Sequence, residues 1–372
     1  MGFQFQSVAA TAPLLADGLG FDSAQIGWLV GLYLLPGVVI ALPGGMLGAR
    51  FGDKRMVLLG LALMIAGAIG FSLAEGIAGA SLARAAMGVG AVILNVLLVK
   101  MVTDWFAGKE MVLAMSMLVS TWPVGIGIAL LTLGTLAKEA SWQAAVLATA
   151  AMAGLGMASV FFGYSPAPDA PPAQKVDLRG VTRRDWTLIC ANSFPWMLYN
   201  AGYVLAVAFL PSFFVAAGFS VAAAGGLTAI NTLLFIVSVQ AGGWLVQRYG
   251  HADRFVYASL AGLALAVAGA ITSPEPLPWM IVLGLVGGLP AGVLASLPAA
   301  VLRPELRATG TGIFYTIFYA GTAIAPAIAG ILAVRSASSA APIWMAVACV
   351  AAAAAAFLVA RRTQKTIAPP GR

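Results

Sequence analysis

Charge is scarce in this sequence. Of 372 residues only 9% are Asp, Glu, Lys or Arg, while 61% are hydrophobic. A soluble domain carries about 25% charged residues. A water-facing surface has no use for so much apolar sequence, so much of it must face lipid. Histidine occurs once, as His251. No cluster of His, Cys and carboxylates offers a metal-ligand set or a catalytic constellation. Cys190 and Cys349 both stand in apolar runs and read as buried free thiols, not a disulfide. Gly88-x-Gly90 lacks the strand and third glycine of a dinucleotide site. No catalytic residue, metal or cofactor is therefore expected, and the chain does not read as an enzyme. Met1 is followed by no basic stretch, so no secretory signal is expected. The net charge of +7 does not point to nucleic acid, because the basic residues are scattered through short loops.

What is abundant is apolar sequence in long runs. A membrane-crossing helix needs about 20 mainly apolar residues. Charges, Gly and Pro divide the chain into twelve such segments, at 1–16, 26–48, 56–74, 77–103, 111–136, 142–164, 186–214, 221–247, 255–273, 277–302, 307–334 and 340–360. Lys and Arg concentrate on the cytoplasmic side of membrane proteins. Seventeen of the twenty lie in or beside alternate connections and the tail: Arg50, Lys54, Arg55, Lys100, Lys109, Lys175, Arg179, Arg183, Arg184, Arg248, Arg254, Arg303, Arg307, Arg361, Arg362, Lys365 and Arg372. The opposite connections hold Lys138 and Arg335, and Arg84 lies inside a span. The bias predicts an inner-membrane, multi-pass protein with both termini cytoplasmic.

Shifting the chain by 198 residues aligns its two halves without a gap over a long stretch. Pro13 meets Pro211, Gly20 meets Gly218, Gly27 meets Gly225, Gly45 meets Gly243, Arg50 meets Arg248 and Gly52 meets Gly250. Apolar matches are cheap in such a composition, but Pro, Gly and Arg matches are not. The polar, Pro-rich stretch at 165–185 reads as a cytoplasmic linker between an N-terminal six-helix bundle, 1–164, and a C-terminal one, 186–362, with a tail at 363–372. Halves of equal topology imply pseudo-twofold symmetry about the membrane normal. In this alignment Met1 meets Tyr199, although the seventh helix begins near Trp186, so about a dozen residues of the first helix look absent. Sixteen helical residues span about 24 Å, short of a roughly 30 Å core. A truncated start is expected, with a short first helix as the alternative.

Two motifs carry a family resemblance. Between the second and third spans stands Gly45-Met-Leu-Gly-Ala49-Arg50-Phe-Gly52-Asp53-Lys54-Arg55. It resembles the cytoplasmic loop motif of the major facilitator superfamily, except that Ala49 replaces the family's acid. The resemblance implies a gating loop built on Gly45, Arg50, Gly52, Asp53, Lys54 and Arg55, with Arg248 in the second copy. The substitution at Ala49 puts an Asp-based lock in question, with Asp53 as the available stand-in. Arg84-Ala-Ala-Met-Gly88-Val-Gly90 resembles the superfamily's fourth-helix motif. The fifth span lacks the Gly-Pro-x-x-Gly-Gly pattern of drug/proton antiporters, which argues against multidrug export. A narrower resemblance is to the cyanate permease branch, carried by residues 1–9, 42–48, 50–55, Asp-Trp-Phe-Ala-Gly at 104–108 and Ser-Thr-Trp-Pro at 120–123. The branch implies cyanate, nitrite-like anions or nitroaromatic compounds as cargo. The fold expected is all-α, with two six-helix bundles of the superfamily type.

Polar residues inside spans are few, and each is a candidate for the transport cavity. The candidates are Gln4, Arg84, Asn95, Trp122, Tyr199, Tyr203, Asn231, Tyr315 and Tyr319. Gln4 and Thr11 share a face of the first helix. Asn192, Trp196, Tyr199 and Tyr203 form a stripe on the seventh. Arg84 and Asn95 share a face about 16 Å apart. No Asp or Glu lies deep in a span, so Arg84 would make the cavity positive and suit a small monoanion. The substrate anion is expected to pair with Arg84; the competing role is structural, bonding carbonyls of a neighbouring helix, and an Arg84 sealed in protein away from the central hollow would undo the reading of a cationic cavity. The function expected is secondary transport of a small solute by alternating access, in a lipid membrane and as a monomer. Proton-coupled efflux of a hydrophobic or nitroaromatic compound is the first alternative, although no cavity acid is visible for it. A receptor on a transporter scaffold is the second, although it would ordinarily bring a signalling domain.

Overall fold

The computed structural model describes residues 1–21, 23–106, 110–168, 181–303 and 306–367. Lys109, Lys175, Arg179 and Arg372, residues 107–108 of the Asp104 motif, most of the expected linker and the end of the tail lie outside the described residues. So do the side chains of Pro13 and Arg307.

Every regular element among the described residues is a helix. Lipid offers no partner to a backbone N–H or C=O, so a spanning segment must satisfy them internally. The helices are α1 (Gly2–Phe5), α2 (Ser7–Ala10), α3 (Ala12–Leu19), α4 (Ser23–Leu32), α5 (Gly37–Phe51), α6 (Asp53–Ser72), α7 (Ile77–Phe106) and α8 (Met111–Glu139). They continue as α9 (Trp142–Gly163), α10 (Arg183–Ala216), α11 (Val221–Tyr249), α12 (Ala252–Thr272), α13 (Pro276–Gly287), α14 (Ala291–Val301), α15 (Arg307–Ser336) and α16 (Ala341–Ile367). Among the described residues eleven segments are long and apolar enough to cross a membrane. The twelfth expected span is the first, and it is broken into α1, α2 and α3 by turns at Gln6 and Thr11. The expected span at 277–302 is likewise interrupted, between α13 and α14, where Pro290 has no N–H to continue the ladder. Helix α10 starts at Arg183, ahead of the apolar run from 186. Thr182 and Asp185 close a capping box there that satisfies its first N–H groups.

The chain forms two compact units. The first comprises Met1–Trp105, Thr121–Gly180 and Arg303–Thr316; the second comprises Phe106–Ser120, Val181–Leu302 and Ile317–Arg372. In the first, α6 packs along α9. Its core gathers Leu29, Tyr33, Val57, Phe71, Ala80 and Leu97, all buried. Helices α6 and α7 touch where Gly60 meets Gly90, and a methyl at Gly60 would stand 2.8 Å from the Gly90 carbonyl. In the second unit α10 lies along α16, and α12 packs on both α13 and α16.

The internal repeat is visible in the backbone. Among the described residues the glycines at positive φ are Gly20 (67°), Gly52 (91°), Gly218 (97°) and Gly250 (68°). They form two pairs, each separated by the 198-residue offset. Each ends a helix in a conformation that a Cβ disfavours, which is why these matches survive in a composition where others are cheap.

Candidate functional site

The first unit builds its polar centre around Arg84 on α7. The side chain is completely buried. Nε donates to the Leu29 carbonyl (3.0 Å), Nη1 to the Gln4 carbonyl (3.0 Å) and Nη2 to the Phe5 carbonyl (2.6 Å). Nη1 also reaches Ser7 Oγ at 3.5 Å and Met87 Sδ at 3.7 Å. The guanidinium carbon lies 4.5 Å from the centre of the Tyr33 ring, a cation–π distance. Why these carbonyls are free follows from the broken first helix. Backbone bonds run from Phe5 to Met1, Gln6 to Gly2, Ala10 to Gln6 and Thr11 to Ser7. The turn at Gln6 leaves the Gln4 and Phe5 carbonyls to other donors, and Arg84 is that donor. Ser7 Oγ adds a bond to the Gln4 carbonyl at 2.8 Å.

The Gln4 amide bonds outward from the same point. Nε2 donates to the Met64 carbonyl (3.0 Å) and Thr149 Oγ1 (3.3 Å), and Tyr33 Oη donates to Oε1 (3.4 Å). Trp122 joins through Phe5, their rings 5.5 Å apart. Asn95 is half-buried farther along α7. Arg84, Gln4 and Trp122 are thus brought together around the broken helix. Among the described residues no carboxylate pairs with Arg84.

The second unit repeats the device with neutral groups. At the α13–α14 break the Ala291 N–H bonds to the Gly288 carbonyl, releasing the Gly287 carbonyl. Tyr199 Oη donates to that carbonyl at 2.7 Å, and the Gly288 N–H donates to Ser238 Oγ at 2.9 Å. Around this point aromatic rings gather. Trp196 lies 5.7 Å from Tyr199 and 6.0 Å from Phe318, and Tyr203 lies 4.3 Å from Phe235. Asn231 is completely buried, its Nδ2 donating to Tyr203 Oη at 3.4 Å. Its Oδ1 has no hydrogen-bond partner among the described residues. A buried acceptor left in that state costs about 1–3 kcal/mol, so it suits an incoming donor. Tyr319 is buried beside Phe318 in this unit, whereas Tyr315 is buried beside Phe314 in the first. Asn192, from the same stripe, instead accepts a bond from Gln364 Nε2 on α16 at 2.6 Å.

At the expected gating loop, Gly52 turns the chain between α5 and α6. Lys100 on α7 ion-pairs with Asp53, and with Asp104 at 2.7 Å. Lys54 donates to the Tyr164 carbonyl at 2.9 Å. Burial first, and then the nearby Asp53 carboxylate, push the Tyr164 phenol above its usual range. Gly45 is buried, whereas Arg50 and Arg55 are exposed and Arg50 lies over the Phe51 ring at 5.1 Å. In the second copy Arg248 lies over Trp244 (5.6 Å) and Tyr249 (5.8 Å).

Sequence reasoning did not find Tyr33, Ser7, Ser238, the Lys100 partnership or the bond between Gln240 and Ser120. The signal for Ser238 and Tyr199 was Gly287-Gly288-Leu-Pro290, which marks a helix break needing a side chain from a neighbour. Asp53 and Lys100 are 47 residues apart, and no local pattern joins them.

Similarity to known proteins agrees with this architecture. The chain resembles the 3-(3-hydroxy-phenyl)propionate transporter of Escherichia coli K12, with 25% identity over 355 residues, covering 88% of this chain and 83% of that protein. It is 31% identical over 146 residues to the cephamycin export protein CmcT of Amycolatopsis lactamdurans, covering 39% of this chain and 30% of that one. The solved fucose:proton symporter FucP of E. coli superposes with a TM-score of 0.78 at 13% identity, covering 97% of this chain and 96% of that one. The human organic anion transporter MFSD10 superposes with a TM-score of 0.73 at 14% identity, covering 97% and 96%. These structures share the fold. The Major Facilitator Superfamily profile matches residues 1–302 and again 218–372, so its two matches together take in every helix described above. With the paired glycines, the motif at Gly45–Arg55 and Arg84 on the fourth span, counting the broken first one, the conclusion is plain: this chain belongs to the Major Facilitator Superfamily.

Proposed function

We propose that this secondary transporter carries a small organic monoanion, with hydroxyaryl carboxylates as its leading substrate class. The observation that carries the charge is Arg84, a completely buried guanidinium with no carboxylate partner among the described residues. An unneutralised cation inside a span raises the local potential and favours an anion even without touching it. Arg84 is sealed in the core with its donors on backbone carbonyls, so the expected direct pairing of the substrate with Arg84 is set aside, and its role in the proposal is to supply field and to hold the first helix. The substrate's ring is assigned to the aromatic group of Trp196, Tyr203 and Phe235. Its hydroxyl is assigned to Asn231 Oδ1, whose acceptor is otherwise unmet. The 25%-identical relative that spans most of both chains is named for a hydroxyphenyl carboxylate, which supports the same class. Cyanate and nitrite-like ions are the small end of this charge class. Alternating access then requires that the substrate make different contacts in the inward- and outward-open states.

The same reading takes 1–164 and 186–362 as the two halves, the inner membrane as location, both termini as cytoplasmic and the monomer as the working state. A second reading is export. It is favoured by the resemblance to the cephamycin exporter.

The test is uptake into proteoliposomes of radiolabelled 3-(3-hydroxyphenyl)propionate, 3-phenylpropionate and cyanate, against a neutral sugar. Saturable uptake of the hydroxylated anion above the other compounds is expected. Transport of the sugar with no movement of any monoanion would overturn the anion class. Uptake that is equal with and without Arg84, in an Arg84→Ala protein that still folds, would remove Arg84 from the reading.

A further inference from the structure

The turn between α11 and α12 holds a cavity of about 340 Å³ lined by Leu245, Tyr249, Gly250, His251, Arg254 and Phe255. It sits where one span ends at Tyr249 and the next begins at Ala252, the place along a span where headgroups are expected. The walls are of two kinds. Leu245, Tyr249 and Phe255 are apolar or aromatic, while Arg254 and His251 are basic or polar. Arg254 is exposed and makes no ion pair among the described residues. His251 adopts a left-handed backbone with φ of 56° and is tied by Nδ1 to the Tyr249 carbonyl at 3.0 Å. Beside the cavity, exposed Trp244 and Tyr249 (49% and 64%) flank Arg248. Exposed aromatics next to cations mark the depth at which phospholipid headgroups lie.

The internal repeat shows that this is not how the first copy of the turn is built. At the 198-residue offset, Arg50 corresponds to Arg248 and Gly52 to Gly250, but Asp53 corresponds to His251, Lys100 to Pro298 and Asp104 to Leu302. The ion-pair cluster that neutralises the first turn has no counterpart in the second. Asp253, the acid nearest in sequence, is taken by Arg361 at 2.6 Å. The second turn therefore presents positive charge against an apolar wall with no internal acid to balance it.

We propose that this cavity is a binding site for the phosphate headgroup of an anionic phospholipid, with Arg254 meeting the phosphate and Leu245 and Phe255 the first acyl carbons. The apolar wall and the aromatic flank favour lipid over a soluble phosphate. The proposal is independent of which solute the protein carries.

The test uses the purified full-length protein, delipidated in detergent. Thermal unfolding is followed while phosphatidylglycerol, phosphatidylcholine or sn-glycerol 3-phosphate is titrated in. A saturable rise of the midpoint with phosphatidylglycerol alone is expected. Arg254→Gln should raise the half-saturating concentration about fivefold, the effect of about one basic contact with an anionic lipid. Identical titrations for wild type and Arg254→Gln would overturn the proposal, as would an equal response to glycerol phosphate or to phosphatidylcholine. Because Arg254→Gln could unfold the protein, a photoactivatable phosphatidylglycerol on the wild type gives a second measurement. Labelling within residues 245–255 supports the site, and labelling elsewhere overturns it.

Discussion

Each unit contains an interrupted helix, and the two interruptions are mended differently. In the first, a buried arginine donates to three backbone carbonyls, two of them on the broken first helix. In the second, a tyrosine hydroxyl meets one carbonyl and a serine hydroxyl meets one N–H. The turns after α5 and α11 divide the same way, with an Asp53–Lys100–Asp104 ion cluster at one and His251 without such a cluster at the other. The first half thus uses charge where the second uses neutral dipoles. A charged mend makes stronger bonds, but removing it strands more. The two halves should therefore respond unequally to matched substitutions.

Arg84→Ala breaks the comparison at its strongest point. It strips three carbonyls of a donor inside a sealed core and should lower the stability of the detergent-solubilised protein by roughly 3–6 kcal/mol. Thermal unfolding followed by circular dichroism checks this, and Arg84→Lys should recover part of the loss because it keeps charge but not the planar fork. Lys100→Met comes next. It leaves two carboxylates facing each other at low exposure and should cost about 3–5 kcal/mol at neutral pH. Protonating those carboxylates at acid pH should shrink that difference, because a neutral acid no longer needs the lysine. Tyr199→Phe, the matched change in the second half, should cost only about 1–2 kcal/mol. An Arg84→Ala effect no larger than that of Tyr199→Phe would erase the distinction between the halves. Asn231→Leu should have the smallest effect on stability, within about 1 kcal/mol, because it removes an unmet acceptor together with one long bond, 3.4 Å, from Nδ2 to Tyr203 Oη. Its effect belongs to selectivity. The uptake ratio of hydroxylated to unhydroxylated arylpropionate should fall toward unity.

The sequence made the helices legible because a lipid-facing span must be long, apolar and nearly free of charge. It made the repeat legible because Gly20, Gly52, Gly218 and Gly250 occupy backbone angles that other residues resist. It placed Arg84, Gln4, Tyr199 and Asn231 among the rare polar residues of the spans, and the structure gathers them at two centres, one in each unit. What it did not show was that several of these side chains are already occupied by backbone. A proline or a Gly-Gly pair announces that a helix can break, but not which neighbour supplies the missing bond. That depends on packing between helices far apart in the chain, as with Arg84 and Phe5 or Tyr199 and Gly287. Asp53 was legible as the acid available to the loop, whereas its partner Lys100 lies on another helix.

The hold on the first helix has an evolutionary consequence. The oxygens that Arg84 grips at positions 4, 5 and 29 belong to the main chain, and every amino acid carries them. The hold on the bend therefore asks nothing of the side-chain identity at positions 4, 5 and 29, only that the backbone be there. A deep mutational scan should find position 5 tolerant of other bulky apolar residues and Arg84 tolerant of almost none.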